Sequence, residues 1–127
     1  MIGNVTSRYP EPKIGDSVPI ENGFFNVRVG MTRACIYAMG PAEASPLKIG
    51  LAHHPIARQH ELQIGNWIPI LIHRVIFAGL RRQAMGFERR LIERFAERRL
   101  PRVRGDWFSI SLEDFDTAAS EIINVGR

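Results

Sequence analysis

Apolar residues in the first half of the chain form short runs separated by turns. The run Ala34–Met39 is typical of a buried strand, and Leu47–Leu51 predicts a second strand after a turn containing Gly, Pro and Ser. A helix is predicted over Pro55–Gln63, because proline suits the first turn of a helix. Gly65 and Asn66 then provide a helix end. The pattern therefore predicts a β-hairpin followed by a helix.

The second half of the chain again passes from strand to helix. The segment Trp67–Phe77 is rich in Ile and also contains Val and aromatic residues, which favours a third strand at the centre of the sheet. A long amphipathic helix is predicted over Leu80–Leu100, ended by Pro101. The segment Gly105–Ile110 has the character of a last short strand. A terminal helix is expected over Ser111–Val125.

The order of these elements predicts the fold class. Ser111 as N-cap and Asp114 at the capping-box position support the terminal helix. The order ββαβα plus a C-terminal tail helix indicates an α/β (α+β) domain with a small three-stranded mixed or antiparallel sheet flanked by helices. Residues 1–30 contain several Pro and Gly and are interpreted as an N-terminal arm or linker, with one short strand near Phe24–Val29. Residues 31–127 then form the domain.

The composition bears on the number of domains and on the cellular location of the protein. Its 127 residues, 45% of them hydrophobic, suffice for one domain with a real core. No run of about 18 apolar residues is present, which argues against a membrane-spanning helix. We expect no secretory signal, since the N-terminus lacks a charged region followed by an apolar stretch. The single cysteine, Cys35, excludes an internal disulfide and a cysteine-based zinc site, and favours a cytoplasmic location.

The charge distribution points towards a polyanion. The formal net charge is +4, 15 of the 17 basic residues are arginine, and nine of those arginines lie between Arg81 and Arg104. The planar guanidinium group donates two hydrogen bonds to a phosphate at once, so an arginine-weighted domain is a candidate for binding nucleic acid. The alternative is a helix with a solvated charged face.

One acidic residue departs from the amphipathic pattern of the long helix. At about 100° per residue, Glu88 lies within roughly 60° of the apolar positions Ala84, Leu91, Ile92 and Phe95. A carboxylate among apolar residues costs free energy unless it has a partner. Two partners fit this position: an arginine from elsewhere in the chain, or a divalent cation, which one carboxylate and several waters commonly hold.

Several short motifs follow one another at defined spacings between residues 34 and 110. They are Cys35-Ile36-Tyr37, Lys48-Ile49-Gly50, Arg58, Leu62-Gln63, Gly65-Asn66, Glu88, Phe95 and Gly105-Asp106-Trp107-Phe108. In this order the chain resembles the GIY-YIG nuclease superfamily, and most closely its small phage-like and fungal (meiotically up-regulated type) branch, whose second motif reads KIG. Three departures are Cys35 in place of Gly, Lys48 in place of Tyr, which is usual in this branch, and Ile92 where branch members often carry His.

The resemblance implies a metal-dependent DNA endonuclease of phage or mobile-element type. It assigns the binding of Mg²⁺ or Mn²⁺ to Glu88 and the clamping of the scissile phosphate to Arg58. Tyr37 would be the general base, and the positive charge of Lys48 would lower its pKa from the ordinary value near 10. Arg58 has two other candidate partners, Glu61 on its own helix and Glu88 itself.

Further contacts with DNA are predicted around these residues. Beside Lys48 and Arg58, the candidates are His54, Asn66, Arg81 and Arg82. Asn66 has an alternative role at the end of the first helix, and Trp67 and Trp107 are expected to pack rather than to stack on bases. Two other functions stay open: a catalytically inactive nucleic-acid-binding module with the same fold, and a domain from a mobile element that binds an acidic protein.

Overall fold

The computed structural model describes residues 12–18, 20–21, 24–25 and 32–124. The strands among them are β1 (Ile20–Glu21), β2 (Phe24–Phe25), β3 (Arg33–Gly40), β4 (Leu47–Ala52), β5 (Leu71–Leu80) and β6 (Trp107–Phe108). The α-helices are α1 (Pro55–Gln63), α2 (Arg81–Arg94) and α3 (Leu112–Ala119). A 3₁₀ turn over Ala96–Arg98 follows α2, and a π-helical turn over Ser120–Asn124 follows α3. The predicted α+β class is confirmed.

The main sheet is antiparallel and has the strand order β5-β3-β4-β6. It contains four strands rather than the predicted three, because Trp107 and Phe108 pair with Lys48 and Leu47 and so extend the sheet beyond β4. β5 is not central as predicted, since β3 and β4 occupy the middle. A segment predicted to belong to the arm bonds the outer edge of β5, where the Gly15 amide donates to the Phe77 carbonyl at 2.8 Å.

Alternating side chains of β3 divide the core into two layers. Ile36 and its neighbours Ala34 and Ala38 pack on the side of α2 and α3, together with Leu91 and Phe115. Tyr37, Cys35 and Met39 point to the opposite layer, where Leu62 of α1, Phe77 and Trp107 contact them. Tyr37 is the residue of this layer with a predicted chemical role. Because successive side chains of a strand point to opposite faces of the sheet, its position in β3 places it on the face that α1 covers.

The segment that connects α1 to β5 corrects one boundary. The third strand begins at Leu71 and not at Trp67, because side-chain bonds hold the preceding residues in a loop. The Gln63 amide donates to the carbonyls of Asn66 and Ile68 at 3.0 and 3.1 Å, and its oxygen accepts from the Ile70 amide at 2.7 Å. The prediction that Trp67 packs is wrong, since it is 91% exposed, whereas Trp107 is buried as predicted.

The long helix also ends earlier than predicted. α2 stops at Arg94, before Pro101 is reached, because the following backbone pairs with β6 instead of continuing the helix. The Ser109 amide donates to the Arg98 carbonyl at 2.8 Å, and the Leu100 amide donates to the Trp107 carbonyl at 2.9 Å. Phe95 at the C-cap is buried, with its ring centroid 6.2 Å from that of Phe108.

Other predicted boundaries agree closely with the structure. α1 covers the predicted residues, and α3 has the predicted N-terminus, where the Ser111 hydroxyl accepts from the Asp114 amide at 3.0 Å. β2 covers the start of the strand predicted near Phe24–Val29, and the remainder of that segment lies outside the described residues. In the described part of the chain, no helix has the length and apolar character needed to cross a membrane.

Candidate functional site

A cleft of about 290 Å³ opens where the edge of β4 meets α1 and α2. β6 pairs with β4 only at Leu47 and Lys48, so among the described residues no strand covers the edge at Gly50 and Leu51. The residues that line this β4-edge cleft are Tyr37, Lys48, Gly50, Leu51, Arg58, Arg81, Met85 and Glu88. The four residues predicted to be catalytic therefore meet in one place, from β3, β4, α1 and α2.

Gly50 allows Tyr37 to reach the cleft. The two residues are direct partners in the β3–β4 register. A Cβ atom on Gly50 would overlap the hydroxyl and ring of Tyr37, so the absence of a side chain creates the space for the phenol. The glycine of the KIG motif is thus required by contact with the tyrosine of the first motif. This contact does not depend on an unusual backbone angle.

The environment of Tyr37 keeps its phenol protonated. Burial raises the pKa of Tyr37 to about 12, and the Arg58 guanidinium opposes this rise only in part. The carboxylates of Glu88, Asp106 and Glu61 raise the pKa further. Burial outweighs the effect of Arg58, and the role of Lys48 in lowering this pKa stays a prediction.

Lys48 lies two residues before Gly50 in β4, so its side chain is on the same face of the sheet as that of Tyr37. It is half-buried, and its Nζ atom lies 3.1 Å from the position that a Cβ atom on Gly105 would take. Gly105 has φ +92°, a conformation that favours glycine and lets the chain turn close over the ammonium group. Burial lowers the pKa of Lys48, opposed by the Asp106 carboxylate.

Glu88 stands at the border of the buried side of α2. Because Phe87 is also buried, the apolar side of the helix is centred between Phe87 and Leu91, and not on Glu88 as the helical pattern predicted. The carboxylate is half-buried in the cleft, where burial and the nearby Asp106 raise its pKa, and Lys48 and Arg58 partly counter this. Among the described residues no cation lies within ion-pairing distance of it.

Asp106 is a charged neighbour of the cleft to which the motif comparison gave no role. Its charge acts on Tyr37, Lys48 and Glu88 alike. Its carbonyl accepts from the Ile49 amide at 3.1 Å, and its carboxylate lies 3.2 Å from Arg99. The signal that could have found it is its place in the Gly105-Asp106-Trp107-Phe108 motif, which β6 brings alongside Lys48.

The two arginines of the cleft stand on opposite sides of it. Arg58 projects from α1, and its guanidinium donates to Glu61 at 3.0 Å, one of its two alternative partners. Its side chain is 46% exposed and so remains accessible to an anion in the cleft. Arg81 is the first residue of α2 and lies on the same side of that helix as Glu88. The cleft that holds the Glu88 carboxylate is therefore lined by arginines of both α1 and α2.

The other predicted nucleic-acid contacts lie outside the cleft lining. His54 is the N-cap of α1, where its Nδ1 atom accepts from the Ala57 amide at 3.2 Å. Asn66 donates to the Leu62 carbonyl at 2.6 Å, so it holds the end of α1. Arg82 is exposed on α2 beside Arg81 but does not line the cleft. These three residues stay predictions as DNA contacts.

The donor set fits a hard divalent cation with few protein ligands. Glu88 supplies one carboxylate that forms no ion pair within the part of the chain that the structure describes, and the cleft has room for a cation with its water molecules. No group of three or more His, Cys, Asp or Glu side chains that could enclose a metal occurs among residues 12–18 and 32–124. A soft or fully protein-ligated metal site is therefore not what these residues form, whereas a largely hydrated Mg²⁺ or Mn²⁺ fits.

Comparison of the chain with protein families, with curated proteins and with solved structures finds no match.

Proposed function

We propose that the protein is a metal-dependent DNA endonuclease that hydrolyses phosphodiester bonds in the β4-edge cleft. The observation that carries this proposal is the meeting of Tyr37, Lys48, Arg58 and Glu88 in one cleft. The Glu88 carboxylate is half-buried there and has no ion-pair partner among the described residues. These are the residues by which the chain resembles GIY-YIG nucleases. The cations of the cleft suit a phosphate, and the carboxylate suits a divalent cation.

The residues divide the work of hydrolysis among them. Arg58 from α1 and Arg81 from α2 bind the scissile phosphate, and Lys48 adds positive charge from β4. Tyr37 holds its proton in the free protein. Extra positive charge that accompanies the substrate would lower its pKa, so that the phenol releases its proton to solvent and the resulting phenolate accepts one from the attacking water. A Mg²⁺ or Mn²⁺ ion at Glu88 would supply that charge and stabilise the phosphate and the leaving oxygen.

The first test is nicking of supercoiled plasmid with Mg²⁺, with Mn²⁺ and with EDTA. The wild type is expected to nick only with metal, and Glu88→Ala to lose at least about 100-fold in rate, as for loss of one charge-stabilising group. Glu93→Gln is the matched control, because Glu93 lies on the exposed side of the same helix. This control is expected to retain the wild-type rate.

The second candidate is a nucleic-acid-binding module without catalysis. The observation in its favour is the pKa of Tyr37, raised to about 12 by burial, which disfavours the phenolate at neutral pH in the free protein. The two functions separate in the same experiment. If the wild type and Glu88→Ala both bind DNA and neither nicks with any metal, the endonuclease proposal is abandoned in favour of the binding module.

A further inference from the structure

The loop between α1 and β5 presents large apolar side chains to solvent. Trp67 is 91% exposed and Ile64 is 81% exposed, although both lie in a segment whose backbone is well bonded. A tryptophan held in water is unusual for a folded domain, and clustered exposed apolar residues mark contact surfaces. The core does not account for Trp67, since neither layer of the core includes it.

The backbone around Trp67 is held on both sides. Asn66 donates to the Leu62 carbonyl at 2.6 Å, and Gln63 bonds to Asn66, Ile68 and Ile70. The Gln59 amide also donates to the Ile70 carbonyl at 2.8 Å. These bonds fix the loop before any ligand arrives, so a partner that stacks on the indole does not have to order the backbone.

An apolar groove lies beside this loop. Its lining comes from three parts of the chain: the loop before β5, the segment from the end of the 3₁₀ turn to β6, and the turn between β3 and β4. The lining residues are Asn66, Ile68, Ile70, Leu100, Val103, Trp107, Pro41 and Pro46. We call this feature, together with Trp67, which stands in the sequence between the lining residues Asn66 and Ile68, the Trp67 groove. Its volume of about 180 Å³ is suited to a flat, partly apolar group and not to a folded protein domain.

Two arginines are the sequence neighbours of Val103, a lining residue of the Trp67 groove. Arg102 and Arg104 flank Val103, both are exposed, and neither forms an ion pair with any residue that the structure describes. An apolar surface bordered by unpaired guanidinium groups matches a ligand that combines flat rings with negative charge. Single-stranded nucleic acid has this chemistry, since its bases stack on aromatic side chains and its phosphates bind arginine.

The groove and the β4-edge cleft are neighbours on the same side of the sheet. Trp107 lines the groove, Lys48 lines the cleft, and the two residues are direct partners in the β4–β6 register. Paired residues on adjacent strands are about 5 Å apart, less than the spacing of successive nucleotides in an extended strand. One strand of nucleic acid can therefore occupy both features together.

We propose that the Trp67 groove binds unpaired bases of a nucleic-acid strand, with Trp67 stacking on a base and Arg102 and Arg104 contacting its phosphates. Only one part of this inference rests on the proposed function, namely that a phosphate of the same strand binds in the β4-edge cleft. It makes the preferred substrate a strand with unpaired bases next to the cut site, such as a flap, a fork or single-stranded DNA.

The experiment measures binding without catalysis, by intrinsic tryptophan fluorescence in EDTA at low salt. The probes are an oligothymidylate of 12 nucleotides, an abasic oligonucleotide of equal length and a blunt duplex. Because Trp107 is buried and Trp67 is exposed, oligothymidylate is expected to quench chiefly Trp67. The affinity of Trp67→Ala for oligothymidylate, measured with a labelled strand, is expected to fall about fivefold to 100-fold, the range found for single base-stacking residues.

Matched variants separate stacking from other causes. Trp67→Phe keeps a ring and is expected to stay near the wild-type affinity, as is Leu80→Ala, which removes an exposed apolar side chain at the opposite end of β5. The abasic strand is expected to bind the wild type and Trp67→Ala equally, since it has no base to stack. A double change of Arg102 and Arg104 to Gln is expected to weaken binding of both strands and to reduce its salt dependence.

Three results would overturn the inference. The first is an affinity of Trp67→Ala for oligothymidylate equal to that of the wild type. The second is equal binding of oligothymidylate and the abasic strand by the wild type. The third is a wild-type dimer that Trp67→Ala converts to a monomer with unchanged oligonucleotide affinity, which would assign the groove to self-association. Absence of plasmid nicking would refute only the endonuclease proposal, because this binding is measured in EDTA.

Discussion

The two sides of α2 place their residues in opposite kinds of environment. One side packs Ala84, Phe87 and Leu91 into the sheet, and the described core contains no buried polar or charged side chain. The other side directs Arg81 and Glu88 into the β4-edge cleft. There, burial disfavours the charged form of Glu88 and of its neighbour Lys48. One side of α2 thus stabilises the fold, whereas the other side carries a carboxylate whose charged form is disfavoured by burial.

The ion pairs of the described residues join side chains at the surface of the protein. Arg74, for example, donates two hydrogen bonds to Asp116, and Arg94 pairs with Glu121. Within the described chain neither Glu88 nor Lys48 has such a partner, although both are more enclosed than these surface residues. Groups that are costly to keep charged and that converge in a cleft indicate a site for a ligand. One side of α2 therefore faces the proposed site, and the other contributes to the packed core.

The largest effect on stability is expected on the packed side of the helix. Leu91→Ala removes a fully buried side chain and is expected to lower the free energy of unfolding by about 2–5 kcal/mol, through lost burial and the cavity left behind. Met85→Ala on the cleft side is expected to cost well under half of that, because Met85 is 53% exposed. Urea unfolding of both variants measures the difference. Equal costs would contradict the division of α2 into two sides.

A smaller loss is expected at the floor of the cleft. Gly50→Ala forces a Cβ atom against the Tyr37 ring and is expected to destabilise the protein by about 1–3 kcal/mol, as overpacking does. Gly86→Ala is the matched control, since a Cβ atom there meets nothing within 4 Å and α2 gains a better helix former. The control is expected to stabilise by up to about 1 kcal/mol. Thermal unfolding that moves both variants in the same direction would refute the Gly50–Tyr37 contact.

Much of this arrangement was predictable from local patterns. The burial of β3 follows from its continuous apolar run, and the N-terminus of α3 follows from Ser111 and Asp114. The family resemblance implied that Tyr37, Lys48, Arg58 and Glu88 act together, and in the structure the hairpin, α1 and α2 bring all four to one cleft. Periodicity alone also singled out Glu88, although it displaced the residue towards the centre of the buried side by leaving out Phe87.

The features that escaped prediction depend on contacts distant in sequence. The end of α2 is determined by bonds from Ser109 and Leu100, which no helical pattern reveals. Trp67 belongs to a strand by composition, yet the bonds made by Gln63 hold it in a loop. The raised pKa of Tyr37 arises from burial that only the folded chain produces. Asp106 gains its role from pairing of β6 with β4, a contact between segments about 60 residues apart.

The smallest expected effect tests the cost of the charge on Glu88. Its folded pKa is raised, so the stability linked to this group is present at low pH and is lost as pH rises through the folded pKa. Glu88→Gln stays neutral and avoids that loss. In EDTA the variant is therefore expected to melt above the wild type at pH 7, and the difference is expected to shrink as the pH falls towards 4. Differential scanning fluorimetry at both pH values measures it, with Glu93→Gln as the unshifted control.

Added metal is expected to reverse the order of the two proteins. A cation that binds the folded wild type through Glu88 stabilises it by mass action, whereas Glu88→Gln gains little. With 10 mM Mg²⁺ or 1 mM Mn²⁺ at pH 7, the wild type should therefore melt above the variant. If Glu88→Gln is more stable than the wild type in EDTA and less stable with metal, the Glu88 carboxylate binds the metal and destabilises the metal-free protein. If the variant is less stable under both conditions, Glu88 contributes to the fold itself, and the contrast between the two sides of α2 fails.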